Sequence, residues 1–200
     1  MFKGLRLIDR YDTIHNVSPM LIMCSSEVAK LMPKAINMLL LGGTALDRMI
    51  NYETYTLTEQ REALQKLLNY ATRERTNVNT FDIRMAKLAI MKFMGIERMG
   101  INMMEQYKTG SVIIDRNGNE HMVYSYLLSD FEKAMELLQR ISTININENM
   151  MDKDSEQAML EIIYLALNCQ EKREDIAKYL DVEFAIGAIR KYYDLPMMEL

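Results

Sequence analysis

The sequence predicts a mainly α protein, a multi-helix bundle interrupted by one β-hairpin near residues 111–126. Three observations predict it. Apolar residues recur at helical spacing in several long segments, Ser/Thr-x-x-Glu capping patterns open two of these, and the period drops from 3.6 to 2 around Asn117 and Gly118.

Taken in order, Ser18 and Pro19 read as an N-cap and a first helical residue. Ser25 or Ser26 then restarts a helix that Pro33 must end or kink. From Pro33 a short helix runs through Leu41 to Gly42 and Gly43, which stop it, and a further short helix covers Thr44 to Ile50. Thr56 and Glu59 have capping-box spacing, and Leu57, Leu64, Leu67, Leu68 and Ala71 carry the next helix to about Arg75. Thr80 opens another, which ends at Met94 against Gly95, and Ile96 to Tyr107 reads as one more helix with Gly100 in its middle.

Ser111 to Asp115 and Glu120 to Tyr126 are rich in β-branched and aromatic residues and flank Arg116-Asn117-Gly118-Asn119. A two-residue loop would set Asp115 opposite Glu120, two like charges. A three-residue loop with Gly118 in the left-handed region avoids this. Beyond the hairpin, Ser129 and Glu132 again have capping-box spacing, and Phe131, Ala134, Met135, Leu138 and Ile141 share one helical face to about Ser142. The polar run from Thr143 to Asp154 reads as a loop. Met159, Ile162, Ile163 and Ala166 then mark a helix to about Asn168. Two short helices follow, Lys172 to Leu180 and Val182 to Tyr193, with Asp181 capping the second and Pro196 closing it. No internal repeat is expected. The boundary falls at Lys108 to Gly110, giving an N-terminal helical region 1–108 and a hairpin plus C-terminal helical region 109–200, which together can still form one continuous domain.

Composition limits the function. Apolar residues are 49% and charged residues 26% of the 200, so the chain can bury a core without disulfide or metal staples. A net charge of -4 argues against a broad phosphate-binding face, so nucleic acid is a disfavoured partner. The apolar runs Pro19 to Cys24 and Ala35 to Leu41 are too short to span a bilayer, and the charged start is unlike a secretory signal. Cys24 and Cys169 lack CxxC spacing, which suits a reduced, cytoplasmic protein. The 19 methionines supply adaptable apolar filler, or an adaptable binding surface.

The chain lacks the local markers of common catalytic mechanisms, and Leu41-Gly42-Gly43-Thr44 is a lone glycine pair that reads as a helix stop. His15 and His121 have no Cys, His or acidic neighbour at metal-ligand spacing, so no metal, no cofactor and no enzymatic activity are expected. Glu174 with Asp175, and Asp181 with Glu183, read as caps or solvated faces. Asp175 to Val182 resembles the first helix and turn of a helix-turn-helix, which makes a DNA-binding regulator using residues 174–193, with Arg190 and Lys191 as its cations, the alternative function.

Residues 111–196 resemble small phage tail assembly chaperones in the order of their elements: a hairpin, a helix, the helix Met159-Leu160-Glu161-Ile162-Ile163-Tyr164-Leu165-Ala166-Leu167, then two short helices. The resemblance implies a non-enzymatic assembly factor that shields an apolar segment of the tape-measure protein. The expected partner is therefore another protein, a helical segment of a phage structural protein, met in the host cytoplasm. Met159, Ile163, Phe184, Ile189 and Tyr192 are the candidate groove residues.

Overall fold

The computed structural model describes residues 4–39, 55–96, 106–142, 153–169 and 172–195. They are mainly helical, with one three-stranded and one two-stranded sheet, and the chain divides into two compact units between Thr109 and Gly110.

In the first unit β1 (Leu5–Ile8) pairs antiparallel with β2 (Ile14–Val17) and parallel with β3 (Gln106–Lys108). A 3-10 turn at Ile22–Cys24 leads into α1 (Ser25–Leu39), followed by α2 (Leu57–Thr72) and α3 (Ile83–Met94). The second unit begins with the hairpin β4 (Ser111–Ile114) and β5 (Glu120–Val123). A 3-10 turn at Leu128–Asp130 then precedes α4 (Phe131–Ser142), α5 (Lys153–Ala166), α6 (Arg173–Tyr179) and α7 (Val182–Tyr192).

Among the described residues the hairpin of residues 111–126 is therefore one of two. The first leaves little mark in the sequence because its alternation is short and its turn holds no glycine. Asp12 takes the left-handed conformation there (φ 60°), where Gly118 does in the second (φ 86°). In that second turn Asp115 stands opposite Asn119, and Arg116-Asn117-Gly118 form the three-residue loop that keeps Asp115 away from Glu120.

Ser18 and Pro19 do not start a helix. Their segment stays extended because the Ser18 N–H donates to the Ala71 carbonyl at 2.8 Å and the Met20 N–H to the Phe93 carbonyl at 2.9 Å. These carbonyls lie in the last turns of α2 and α3, where no intrahelical donor remains. Nor does Pro33 end α1, which continues through it. The lost hydrogen bond is outweighed by burial of Val28, Ala35, Met38 and Leu39 on a helix that packs mainly against α2. Gln106 and Tyr107 belong to β3 and not to a helix, since the chain there pairs with β1, and Lys153 and Asp154 already belong to α5. At Ser129 the expected capping box gives way to the 3-10 turn, and its hydroxyl bonds the Asp130 carboxylate. The expected helix Thr44–Ile50, Gly42, Gly43, Gly100 and Pro196 lie outside the described residues.

The two units are copies of one design, which corrects the expectation of no repeat. Gly-Leu-Arg-Leu-Ile-Asp-Arg-Tyr-Asp-Thr-Ile-His-Asn-Val (4–17) matches Gly-Ser-Val-Ile-Ile-Asp-Arg-Asn-Gly-Asn-Glu-His-Met-Val (110–123). Asp-Ile-Arg-Met-Ala-Lys-Leu-Ala-Ile-Met-Lys-Phe (82–93) matches Asp-Val-Glu-Phe-Ala-Ile-Gly-Ala-Ile-Arg-Lys-Tyr (181–192). Ala63, Leu67, Leu68 and Ala71 of α2 are buried as Ala158, Ile162, Ile163 and Ala166 of α5 are. Both helices are followed by a left-handed residue, Arg73 and Asn168, each with φ 57°.

The polar scaffolding repeats as well. Asp82 caps α3 through the Met85 N–H at 2.7 Å, and Asp181 caps α7 through the Phe184 N–H at 2.8 Å. Tyr124 donates to Ala166 at 2.8 Å and Tyr126 to Tyr192 at 3.0 Å, the counterparts of the Ser18 and Met20 bonds. Leu67→Ala and Ile162→Ala, at matched positions, should each cost about 2–5 kcal/mol, read from urea unfolding followed by circular dichroism.

Candidate functional site

Of the five residues expected to line a partner groove, Ile163, Phe184 and Tyr192 are buried, with exposures of 0%, 2% and 2%, while Met159 and Ile189 are half-buried. The second unit fills that space with its own side chains. Phe184 packs edge-on to Tyr179 and to His121, each at 5.3 Å, and Tyr192 lies 5.7 Å from Tyr126 and 5.1 Å from Tyr193. These three are core residues and do not form an open groove. Arg190 and Lys191 lie half-buried in the last turn of α7, where the Lys191 carbonyl accepts the Ser125 hydroxyl at 2.8 Å. Gly187, on the same helix, faces the hairpin, and an added Cβ would stand 3.4 Å from Ile113.

The fold supplies acidic partners for both histidines, which the spacing rules did not reveal. In the second unit the Asp115 Oδ1 accepts the N–H groups of Asn117 at 2.8 Å and Asn119 at 2.9 Å, and Oδ2 lies 3.1 Å from His121 Nε2. In the first, Asp9 Oδ1 accepts Tyr11 and Thr13, both at 2.9 Å, and Oδ2 lies 3.3 Å from His15 Nε2. Each imidazole rests on an aromatic ring: His121 stacks on Tyr179 at 4.4 Å, and His15 tilts against Phe81 at 4.6 Å. An Asp–His pair can relay a proton, but here the carboxylate clamps its own turn and the ring anchors the strand to the helices. The same clamp recurs in both copies. The available signal was the Gly…Ile-Asp-Arg…His…Val pattern, present at both Gly4 and Gly110.

Burial alone would raise the Asp115 carboxyl. Hydrogen bonds from the Asn119 side chain and backbone, from His121 and from the Asn117 backbone outweigh that and hold it well below the usual carboxylate range. Among the described residues no group of three or more His, Cys, Asp or Glu is placed to hold a metal ion, and both cysteines are free thiols.

The surface offers more. In the first unit a cleft of about 510 Å³ is lined by Leu21, Cys24, Tyr70, Arg73 and Phe93 among others, beside the exposed Ile22 and Met23. In the second, a groove of about 420 Å³ between α4 and α5 is bordered by charge, with Lys133 on Glu161 at 2.8 Å and Arg140 on Asp154 at 2.6 Å. The outer face of the β4–β5 hairpin is different: Val112, Ile114 and Met122 are 50%, 62% and 44% exposed. Val112 and Met122 are cross-strand partners, so they form one apolar patch. Val182 and Ile186, one turn apart, are exposed on α7.

No family model matches the chain, and no curated protein or solved structure is similar to it at a significant level.

The Asp115 clamp has a signed pH dependence. Its native pKa is depressed from 3.8, so between the native and unfolded values the unfolded chain binds more protons. The clamp's contribution is full above the unfolded pKa and is lost as pH falls from there towards the native one. Asp115→Asn should therefore lower the urea midpoint at pH 7, and the gap from wild type should narrow at pH 3.

Proposed function

We propose that this protein is a non-enzymatic assembly factor of the chaperone or adaptor type, which holds another protein through the outer face of the second hairpin. One observation carries the reading. Two copies of one module keep the same core, caps and turn clamps, yet the cross-strand pair Arg6 and Asn16 on the outer face of the first hairpin is replaced by the apolar pair Val112 and Met122 in the second, while the neighbouring Ile8–Ile14 pair becomes Ile114–Glu120. A solvated sheet face gains nothing from that change, whereas a face that is covered by a partner does.

The resemblance of residues 111–196 to phage tail assembly chaperones supports the same reading, because the hairpin and the four helices whose order carries it all occur in the second unit. The reading places the protein in the cytoplasm, the host's if a phage encodes it, with an apolar segment of a structural protein as its cargo. Among the described residues no helix is long and apolar enough to cross a membrane.

Tagged wild-type chain recovered from its native host should retain a protein partner. Val112→Asp with Ile114→Asp should reduce that retention about tenfold or more while leaving the far-ultraviolet circular dichroism unchanged, and Arg6→Ala should leave it intact. Absence of any partner above background, or retention unaffected by the double substitution, overturns the proposal.

A further inference from the structure

The two copies differ at one sheet edge. In the first unit β3 lies parallel to β1, with Arg6 paired to Gln106, Leu7 to Tyr107 and Ile8 to Lys108. Three further contacts hold it. The Thr109 N–H donates to the Ile8 carbonyl at 3.0 Å, the Thr109 hydroxyl donates to Asp82 Oδ2, and the Arg84 guanidinium lies over the Tyr107 ring at 5.4 Å.

In the second unit β4 pairs with β5 alone among the described residues. Its hydrogen-bonded cross-strand pairs alternate from Asp115–Asn119, so the N–H and C=O groups of Val112 and Ile114 point to the other edge, as those of Arg6 and Ile8 point to β3. An exposed row of backbone donors and acceptors is a template for another strand.

We propose that the edge of β4 left unpaired among the described residues is a strand-addition site for an extended segment of a partner protein, lying parallel to β4 and carrying the pattern apolar, Lys or Arg, apolar, Ser or Thr. The position of β3 in the first unit supplies the occupant's geometry, and the residues that line the β4 edge and the start of α7 supply its chemistry. Opposite Val112, which replaces Arg6, and Ile114, the counterpart of Ile8 that stands 62% exposed, the added strand meets apolar side chains, so its outward residues are apolar. At the position of Tyr107 it meets Glu183 in place of Arg84, which selects a cation. One further residue along, past the second apolar position, it meets Asp181 in place of Asp82. Asp181 uses Oδ1 for its helix cap, which leaves Oδ2 to accept a hydroxyl.

The inference rests on the protein-binding reading above and specifies its partner. The probe is the peptide Gly-Val-Lys-Val-Thr-Gly, titrated into the full-length ¹⁵N-labelled chain. The amides of residues 112–114 should shift saturably. A version with Glu for Lys should bind about threefold more weakly, and a backbone N-methylated version should not bind. Glu183→Lys, at an exposed position, should reverse the Lys-over-Glu preference. Shifts that miss β4 and the first turn of α7, equal affinity for the N-methylated peptide, or no reversal in Glu183→Lys would each overturn the strand-addition site. So would a self-dimer of the chain through this edge that the peptide cannot dissolve. If the host partner is still captured through Val112 and Ile114 in any of these cases, the protein-binding reading stands and only the mode fails.

Discussion

The extended segment leaving each hairpin is what the rest of the fold depends on. A helix ends with carbonyls that have no donor of their own, and a buried carbonyl without a partner costs about 1–3 kcal/mol. In both units two alternate residues past the hairpin supply the missing N–H groups, Ser18 and Met20 in one and Tyr124 and Tyr126 in the other. The residue between them takes no part in these bonds: Pro19 has no N–H to give, and Ser125 uses its hydroxyl on Lys191. Two hydrogen bonds thus fix the sheet against the ends of two helices, and the strand-facing His residues and their aromatic neighbours pack where that geometry leaves room.

Once the sheet is held there, the remaining choices narrow. Asp82 and Asp181 cap the last helix of each unit, and both are followed two positions later by a charged residue, Arg84 or Glu183. Changes between the copies concentrate on positions that the scaffold does not use. Val112 and Met122 stand where Arg6 and Asn16 do, with no cost to the turn clamps or caps. The frame is retained while the surface laid over it diverges.

Much of the helical content was legible because its signals are local. The Thr56 capping box forms with both of its hydrogen bonds, Gly95 ends α3 in the left-handed region at φ 67°, and Asp181 caps α7. The three-residue turn at Gly118 followed from the charges on either side of it. What escaped depends on partners far along the chain. Ser18 and Pro19 look like a helix start until Ala71 and Phe93 claim the neighbouring N–H groups, and Gln106 to Lys108 become a strand only because β1 lies beside them. Phe184 and Tyr192 have the pattern of an exposed groove as readily as that of a core, and only the aromatic cluster around Tyr126 and His121 decides between them. The repeat itself was hidden by substitutions such as Asp12 for Gly118, which preserve the backbone and not the letters.

The shared donor pattern leaves a problem of fidelity. As far as the backbone is concerned, either hairpin could dock on either pair of helix ends, since the donors and acceptors occur in the same order in both. Correct pairing must then be chosen by side chains, His15 fitting against Phe81 and His121 against Tyr179 and Phe184. In a duplicated chain such buried aromatic contacts also tell one unit apart from its twin.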